Sequence, residues 1–147
     1  MDHDVYTKVK QFKQKYPMTL AWRLKKHSKI AEKFLNPDEE VIFAFAAQKN
    51  DNPLDIVTTN VIVLTNKRIL IATKRLFFGY FYTTITPDLF NDLKVSMGLV
   101  WGKVIIDTIG EKVYLSNIQR DALDEIETKV SQCMMREKQK YEYRSKV

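Results

Sequence analysis

The sequence predicts a mainly β (α+β) fold: seven antiparallel strands arranged as a barrel or split sandwich, with two helices before them and a third after them. Three observations support this prediction. Apolar residues recur at helical spacing in residues 5–35 and again in residues 122–134. Residues 41–116 instead hold short β-branched and aromatic runs. Turn-forming residues separate these runs, so neighbouring strands are expected to pair as hairpins.

Two helices are predicted before the first strand. The apolar face of the first consists of Val5, Val9, Phe12 and Tyr16. Pro17 ends this helix, because proline disfavours the α conformation in the residue before it. Thr19 is the predicted N-cap of a second helix that runs to about Leu35. The apolar face of that helix consists of Leu20, Leu24, His27, Ala31, Phe34 and Leu35. We expect this face to pack on the β-domain, because apolar area left in water costs about 25 cal/mol per Å².

Seven strands are predicted after a turn at residues 36–38. They cover residues 41–47, 59–66, 69–74, 80–86, 92–96, 102–109 and 112–116. The clearest pair consists of two β-branched runs separated by Thr65–Arg68, a polar break short enough for a hairpin turn. Seven short strands with close connections are expected to form a meander that curls into a sandwich or barrel.

A third helix is predicted after the last strand. Ser116 and Gln119 have the spacing of a capping box at its start. Its apolar face consists of Ala122, Leu123, Ile126, Val130, Cys133 and Met134. After Met135 the sequence is highly charged, and we expect it to fray into solvent. The chain is thus divided into a basic helical arm (1–36), a β-domain with its helix (37–136) and a charged tail (137–147).

Several segments resemble bacterial pleckstrin-homology-like domains, in particular the YokE-like PH domains. These segments are EEVIFAF at 39–45, VIVLTNKRILIATK at 61–74, GLVWGKVIIDTIGEKVYLSNI at 98–118 and the helix that follows. The resemblance covers residues 38–135. It implies a seven-stranded barrel whose C-terminal helix closes one open end. It says little about activity, because one fold carries many functions.

The net charge of +6 is concentrated in the arm. Residues 1–36 contain nine Lys or Arg and three Asp or Glu, whereas residues 37–147 contain fifteen of each. The candidate basic surface consists of Arg23, Lys25, Lys26, Lys29 and Lys33. This surface is either a solvated helix face or an attachment point for an anionic membrane or nucleic acid. The lack of an aromatic stacking platform beside it disfavours nucleic acid.

Specific phosphoinositide binding is not expected. The resemblance implies that such a site would need basic residues on the first strand and in the loop after it. That loop, residues 48–55, contains Lys49 but also Asp51 and Asp55. Two carboxylates would repel a phosphate group rather than hold it.

The segment Arg75–Tyr82 is unusual for a barrel strand, which should alternate apolar and polar residues. The candidate interaction residues are Leu76, Phe77, Phe78, Tyr80 and Tyr82. They cannot all face inward, so some are covered by the helical arm, by a protein partner or second copy, or by a membrane. Aromatic side chains contribute most at protein interfaces. The predicted function is therefore a non-enzymatic interaction module, with the basic arm as the alternative binding surface.

The sequence offers no catalytic, cofactor-binding or metal-binding constellation. His3 and His27 have no carboxylate or cysteine at ligand spacing. The single cysteine, Cys133, cannot form an intramolecular disulfide, which fits a reducing cytoplasm. The longest apolar run, residues 41–47, is far shorter than the roughly 20 residues that a membrane-spanning helix needs. The chain is expected to be soluble and cytoplasmic, without a cofactor.

Overall fold

The computed structural model describes residues 3–50 and 59–146. Its elements are helices α1 (Val5–Lys15) and α2 (Leu24–Lys33), strands β1 (Val41–Lys49), β2 (Thr59–Thr65), β3 (Ile69–Lys74), β4 (Tyr80–Ile85), β5 (Phe90–Met97), β6 (Trp101–Thr108) and β7 (Lys112–Gln119), a 3₁₀ turn (Arg120–Ala122) and helix α3 (Leu123–Lys146). The predicted order of two helices, seven strands and one helix is confirmed.

The seven strands form one antiparallel sheet in the order β4-β3-β2-β1-β7-β6-β5, which curls into a half-barrel. Its two halves meet where β1 pairs with β7. Within the described residues this pairing is short, joining Gln48 to Ser116 and Lys49 to Leu115. The predicted antiparallel barrel or split sandwich is therefore confirmed, with β4 and β5 as the edges of the sheet.

Helix α1 completes the core enclosed by the sheet. It packs against β1. Its Phe12, and Tyr16 directly after the helix, are buried in the same cluster as Phe43, Phe45 and Ile126. The Phe12 ring centre lies 6.1 Å from that of Phe43 and 5.9 Å from that of Phe45. These separations are typical of aromatic pairs that stabilise cores. The α1 helix is therefore a packed element of the domain.

A second cluster lies on the outer face of the sheet. Helix α2 packs across β3 and β2, so all seven residues of β2 are buried although only one face of that strand meets the inner core. The cluster consists of Val5, Val9, Ala21, Ala31, Val41, Ala44, Ala46, Val61, Val63, Leu70 and Ala72. The alanines of β1 leave room for the helices to approach the sheet closely. As expected, the arm buries its apolar face against the strands.

The predicted start of the second helix is wrong. Residues 18–20 run along the end of β7 instead of forming a helical turn. The Leu20 N–H donates to the Asn117 carbonyl at 2.9 Å, and the Thr19 hydroxyl accepts from the Gln119 N–H at 2.9 Å. Thr19 thus accepts a backbone hydrogen bond from a strand far away in sequence and does not cap a helix. Helix α2 begins after Arg23, whose left-handed φ of 55° makes the sharp entry.

The predicted boundaries of the third helix are also wrong. Ser116 lies in β7, where its hydroxyl donates to the Asn50 side chain at 2.8 Å, so it does not cap α3. Helix α3 begins at Leu123 and continues through Lys146 rather than fraying after Met135. The Lys138 ammonium donates to the Phe90 carbonyl, which ties the helix to β5 beyond that point.

Arg68 and Glu39 form a buried ion pair at the β2–β3 turn. The Glu39 side chain is fully buried, and its carboxylate accepts from Arg68 Nε at 2.8 Å and Nη2 at 3.0 Å. The same carboxylate accepts from the Thr65 hydroxyl at 2.7 Å and the Asn36 N–H at 3.0 Å. Burial alone would raise the pKa of Glu39, but these hydrogen bonds, led by Arg68, hold it below its ordinary value.

Arg68 also connects elements outside its own hairpin. Its Nη2 donates to the Phe34 carbonyl at 2.7 Å, just after α2, and its Nη1 donates to the Thr84 hydroxyl of β4 at 2.9 Å. One guanidinium therefore joins the end of α2, the link before β1 and strand β4. This lock fixes α2 next to the β3–β4 hairpin.

Candidate functional site

The candidate site is the β3–β4 hairpin. The two strands pair without interruption from Ile69–Ile85 to Lys74–Tyr80. The Arg75 N–H donates to the Gly79 carbonyl at 3.0 Å and closes the turn. Gly79 has a φ of +75°, a conformation that other residues rarely adopt. The chain thus holds Leu76, Phe77 and Phe78 at the tip of a well-defined turn.

The three tip side chains are exposed. Leu76 is 69% exposed, Phe77 is 82% exposed and Phe78 is 84% exposed. The helical arm therefore does not cover the tip, which was one of the three alternatives that the sequence left open. A contiguous apolar group of this kind on a protein surface usually marks a binding surface.

The arm covers the base of the hairpin in part. The Phe34 ring stacks on Tyr82, with ring centres 3.9 Å apart, and lies 5.3 Å from the Tyr80 ring. The Lys33 ammonium lies 5.0 Å from the centre of the Tyr80 ring, within cation–π distance. Tyr80 and Tyr82 are consequently positioned by α2 but remain accessible.

A groove of about 1130 Å³ lies between the start of α2 and the hairpin. On one side it is lined by Trp22, Arg23 and His27, and on the other by Phe77, Phe81 and Tyr82. Among residues 3–50 and 59–146, the charged side chains in its lining are Arg23, Lys49, Lys74, Arg75 and Glu111. Four cations against one carboxylate favour a ligand that is apolar and negatively charged.

His27 and Arg23 hold the last residue of β3. The His27 Nδ1 accepts from the Lys74 N–H at 2.8 Å, and Arg23 Nη1 donates to the Lys74 carbonyl at 3.2 Å. Burial, with a smaller effect of the nearby Arg23 charge, lowers the pKa of His27 to about 4. The imidazole is therefore neutral near pH 7 and acts as a hydrogen-bond acceptor that anchors the hairpin to α2.

The predicted basic surface is only partly brought to this site. Lys33 and Arg23, at the two ends of α2, contact the hairpin. Lys25, Lys26 and Lys29 are exposed on the same helix. Two of the five predicted cations, Arg23 and Lys33, thus lie beside the exposed aromatic residues.

Sequence reasoning missed three contributors to the site. Arg75 stacks on Phe81, with its guanidinium carbon 3.9 Å from the ring centre, and Phe81 is itself 56% exposed. Phe34 had been interpreted only as part of a helical apolar face. The position of Phe81 between Tyr80 and Tyr82 in β4 was a local signal that it lies on the opposite face of the strand. The Phe34–Tyr82 contact joins residues 48 positions apart (82 minus 34) and had no local signal.

A second exposed apolar group lies at the β5–β6 hairpin. Leu99 is 95% exposed, and the indole of Trp101 donates to the Met18 carbonyl at 2.6 Å. In an antiparallel meander this turn and the β3–β4 turn lie at opposite ends of the strands. Leu99 therefore offers an exposed apolar reference position away from the candidate site.

The remaining sequence predictions concern metal ligands, membrane-spanning helices, the single cysteine and the loop after β1. In residues 3–50 and 59–146, no three His, Cys, Asp or Glu side chains lie close enough to hold a metal ion. None of the described helices is both long enough and apolar enough to span a membrane. The thiol of Cys133 is buried, which raises its pKa. The loop from which we predict that phosphoinositides do not bind covers residues 48–55, and its residues 51–55 lie outside the described residues.

Comparisons with known proteins identify the family. No curated protein matches this chain. A pleckstrin-homology-domain protein of the DUF1696 family from Shewanella loihica is 13% identical, with a TM-score of 0.48 over 76% of this chain and 92% of its own. A pleckstrin homology domain from Shewanella amazonensis is 14% identical, with a TM-score of 0.45 over 79% and 88%. The family model described as "Bacterial PH domain" matches residues 35–132, which are 98 of the 147 residues. The chain therefore belongs to the bacterial PH domain family.

Proposed function

We propose that this chain is a non-enzymatic interaction module that binds a protein partner through the β3–β4 hairpin. Membership of the bacterial PH domain family supports an interaction module in general terms. The observation that carries the specific proposal is the exposure of Leu76, Phe77 and Phe78, at 69%, 82% and 84%. Aromatic side chains at an exposed turn are typical anchors of protein interfaces.

The folding of the domain does not account for these three side chains. None of them belongs to either buried cluster. Their apolar surface is in water, so each is an opportunity to gain about 25 cal/mol for every Å² that a partner covers. The four cations of the neighbouring groove add a preference for an acidic partner.

The proposal is tested with a Phe77→Ser, Phe78→Ser double variant and the matched control Leu99→Ser. The immobilised wild-type chain and both variants are incubated with extract of the native host, and the captured proteins are quantified. We expect the double variant to capture at least about tenfold less of a specific protein than the wild type does, whereas Leu99→Ser captures the same amount as the wild type. Thermal melting confirms that all three chains are folded.

One outcome of this capture experiment and two further measurements separate the other binding modes. Unchanged capture by the double variant would contradict the proposed role of the tip. Co-sedimentation with anionic and neutral vesicles at two salt concentrations tests the membrane alternative, which the exposed lysines of α2 favour. Salt-sensitive binding to anionic vesicles that is lost in the double variant would replace the protein partner by a membrane. Light scattering across concentrations tests self-association, and a strictly monomeric chain excludes it.

A further inference from the structure

The two edges of the sheet differ in how they are protected. Strand β5 carries Asp92 and Lys94, shifts register between Phe90 and Asp92, and is covered by α3. Charges, bulges and covering helices are the devices by which proteins prevent an edge strand from pairing with another chain. Strand β4, residues Tyr80–Ile85, has no charged residue, proline or register shift. The fold thus leaves β4 as the edge that is open to a further strand.

The backbone of β4 presents hydrogen-bonding groups on its outer side. The turn bond shows that Arg75 and Gly79 form a hydrogen-bonded pair. Such pairs alternate along an antiparallel ladder, so Phe81 and Thr83 bond to β3. The residues whose N–H and C=O groups face away from β3 are then Tyr80, Tyr82 and Thr84. Strand β4 has no other neighbouring strand among the described residues.

Side chains on both faces of β4 would contact an added strand. Tyr80 and Tyr82 lie on the outer face with Phe34 and Lys33. Phe81 lies on the other face, stacked with Arg75 beside the groove. An apolar contact and a cation are therefore available on each face, so an added strand would meet a cation whichever way each of its side chains points.

We infer that β4 is a docking edge for an extended, acidic segment of a partner protein, which would add to the sheet as an eighth strand. This inference rests on the proposed function and specifies the form of its partner. Six residues of β4 span roughly 20 Å, enough for a segment of similar length. The acidic character follows from Lys33 on the outer face of the strand and from Arg75 and the other described cations of the groove on the opposite face. A second copy fits less well, because each copy carries a net charge of +6 and would bring the same cationic surroundings to the shared edge.

The probe is a library of randomised eight-residue peptides, selected for binding to the immobilised full chain. We expect selected peptides to alternate acidic and apolar residues. Their affinity should fall at least about tenfold for the Lys33→Glu, Arg75→Glu variant. The matched control Lys10→Glu, Lys94→Glu has the same charge change on exposed residues elsewhere and should bind normally. Failure to select any peptide that responds to the Lys33 and Arg75 changes would overturn the inference.

Backbone pairing is tested directly by amide hydrogen exchange on the peptide complex. We expect the peptide to slow exchange at Tyr80, Tyr82 and Thr84, whereas Phe81 and Thr83 are already protected by β3. N-methylation of one alternate set of peptide amides should abolish binding, and methylation of the other set should leave it intact. Equal effects of both sets, or unchanged exchange at the three edge amides, would overturn strand addition.

These results separate this inference from the proposed function. A peptide that depends on Phe77 and Phe78 but leaves the edge amides unprotected would support hairpin binding and overturn strand addition. Protection of the same amides in the chain alone, growing with its concentration, would show pairing of two copies and overturn the acidic partner.

Discussion

At the scale of single residues, His27 makes a hydrogen bond that its neighbours in the sequence do not predict. It lies next to lysines in the sequence, and it is predicted to belong to the apolar face of the second helix and to have no metal-binding partner. The structure buries it and directs its Nδ1 to the Lys74 N–H, 47 residues away. The contact exists because α2 crosses the end of β3, which is a tertiary arrangement that no local pattern encodes.

The neutral His27 predicts a pH dependence of stability. Between pH 6.5 and about 4 the unfolded chain binds a proton at this residue and the folded chain does not, so the free energy of unfolding falls as pH is lowered. We expect a loss on the order of 2 kcal/mol, allowing for solvent screening. His27→Asn retains an acceptor near the Nδ1 position without titrating, so its loss over this window should be smaller.

Urea unfolding at pH 7.5, 5.5 and 4.5 measures the effect. Gln11→Asn, an exposed substitution on α1 that changes no titratable group, retains His27 and should keep the wild-type pH dependence. Glu39, whose pKa is lowered, loses its contribution at still lower pH in every chain and does not distort the comparison. Equal slopes for wild type and His27→Asn would disprove the role given to the imidazole.

At the scale of elements, sequence patterns predicted the features that depend on neighbouring residues, such as the bounds of a strand in a short hairpin. Strand β3 was predicted with the observed bounds, because two β-branched strands around a short turn have one natural register. The starts of α2 and α3 were wrong because Thr19 and Ser116 bond to distant segments instead of capping helices. The excess of aromatic residues in the segment Arg75–Tyr82 correctly predicted an unusual hairpin. The sequence could not predict which of its rings are covered, because that depends on where α2 ends and places Phe34.

The Arg68–Glu39 lock yields a prediction about how these elements are joined. Arg68→Ala leaves the fully buried Glu39 carboxylate without its partner and should reduce the free energy of unfolding by about 3–5 kcal/mol. Replacing both residues by methionine should be less damaging, because no unpaired charge remains buried. Lys67→Ala removes an exposed ion pair with Asp38 at the same turn and should change stability little.

Urea unfolding of the four chains measures these differences. Amide exchange should also show greater opening of the β3–β4 hairpin in Arg68→Ala, since the lock reaches Thr84. A double variant as unstable as Arg68→Ala would mean that packing, rather than an unpaired charge, causes the loss.

At the scale of the whole molecule, the two N-terminal helices complete a domain whose family match begins only at residue 35. Helix α1 and the residue after it supply Phe12 and Tyr16 to the inner core, and both helices cover the outer face of β1–β3. The resemblance to known PH-like domains did not include them, so their place could be inferred only from their apolar faces. The predicted division at residues 36/37 and 136/137 stays a prediction.

This arrangement predicts that the sheet depends on the arm. Deletion of residues 1–36 should lower the melting temperature and increase binding of the dye ANS, because it exposes the outer apolar face of β2 and opens the inner core beside Phe43. A truncated chain that melts unchanged and binds no more dye would contradict the packing of the arm. If the truncated chain does not fold, a point substitution tests the same packing in the full chain.

That substitution is Phe12→Ala, which removes a ring that is 4% exposed and packed against Phe43 and Phe45. It should reduce the free energy of unfolding by about 3–5 kcal/mol, the usual loss for a buried phenylalanine. Gln11→Ala, its exposed neighbour on α1, is the matched control and should have little effect. Urea unfolding compares the two, and equal stabilities would place α1 outside the cooperative core. A large difference would instead mean that α1 unfolds together with the sheet, so that the arm and the β-domain form one cooperative unit.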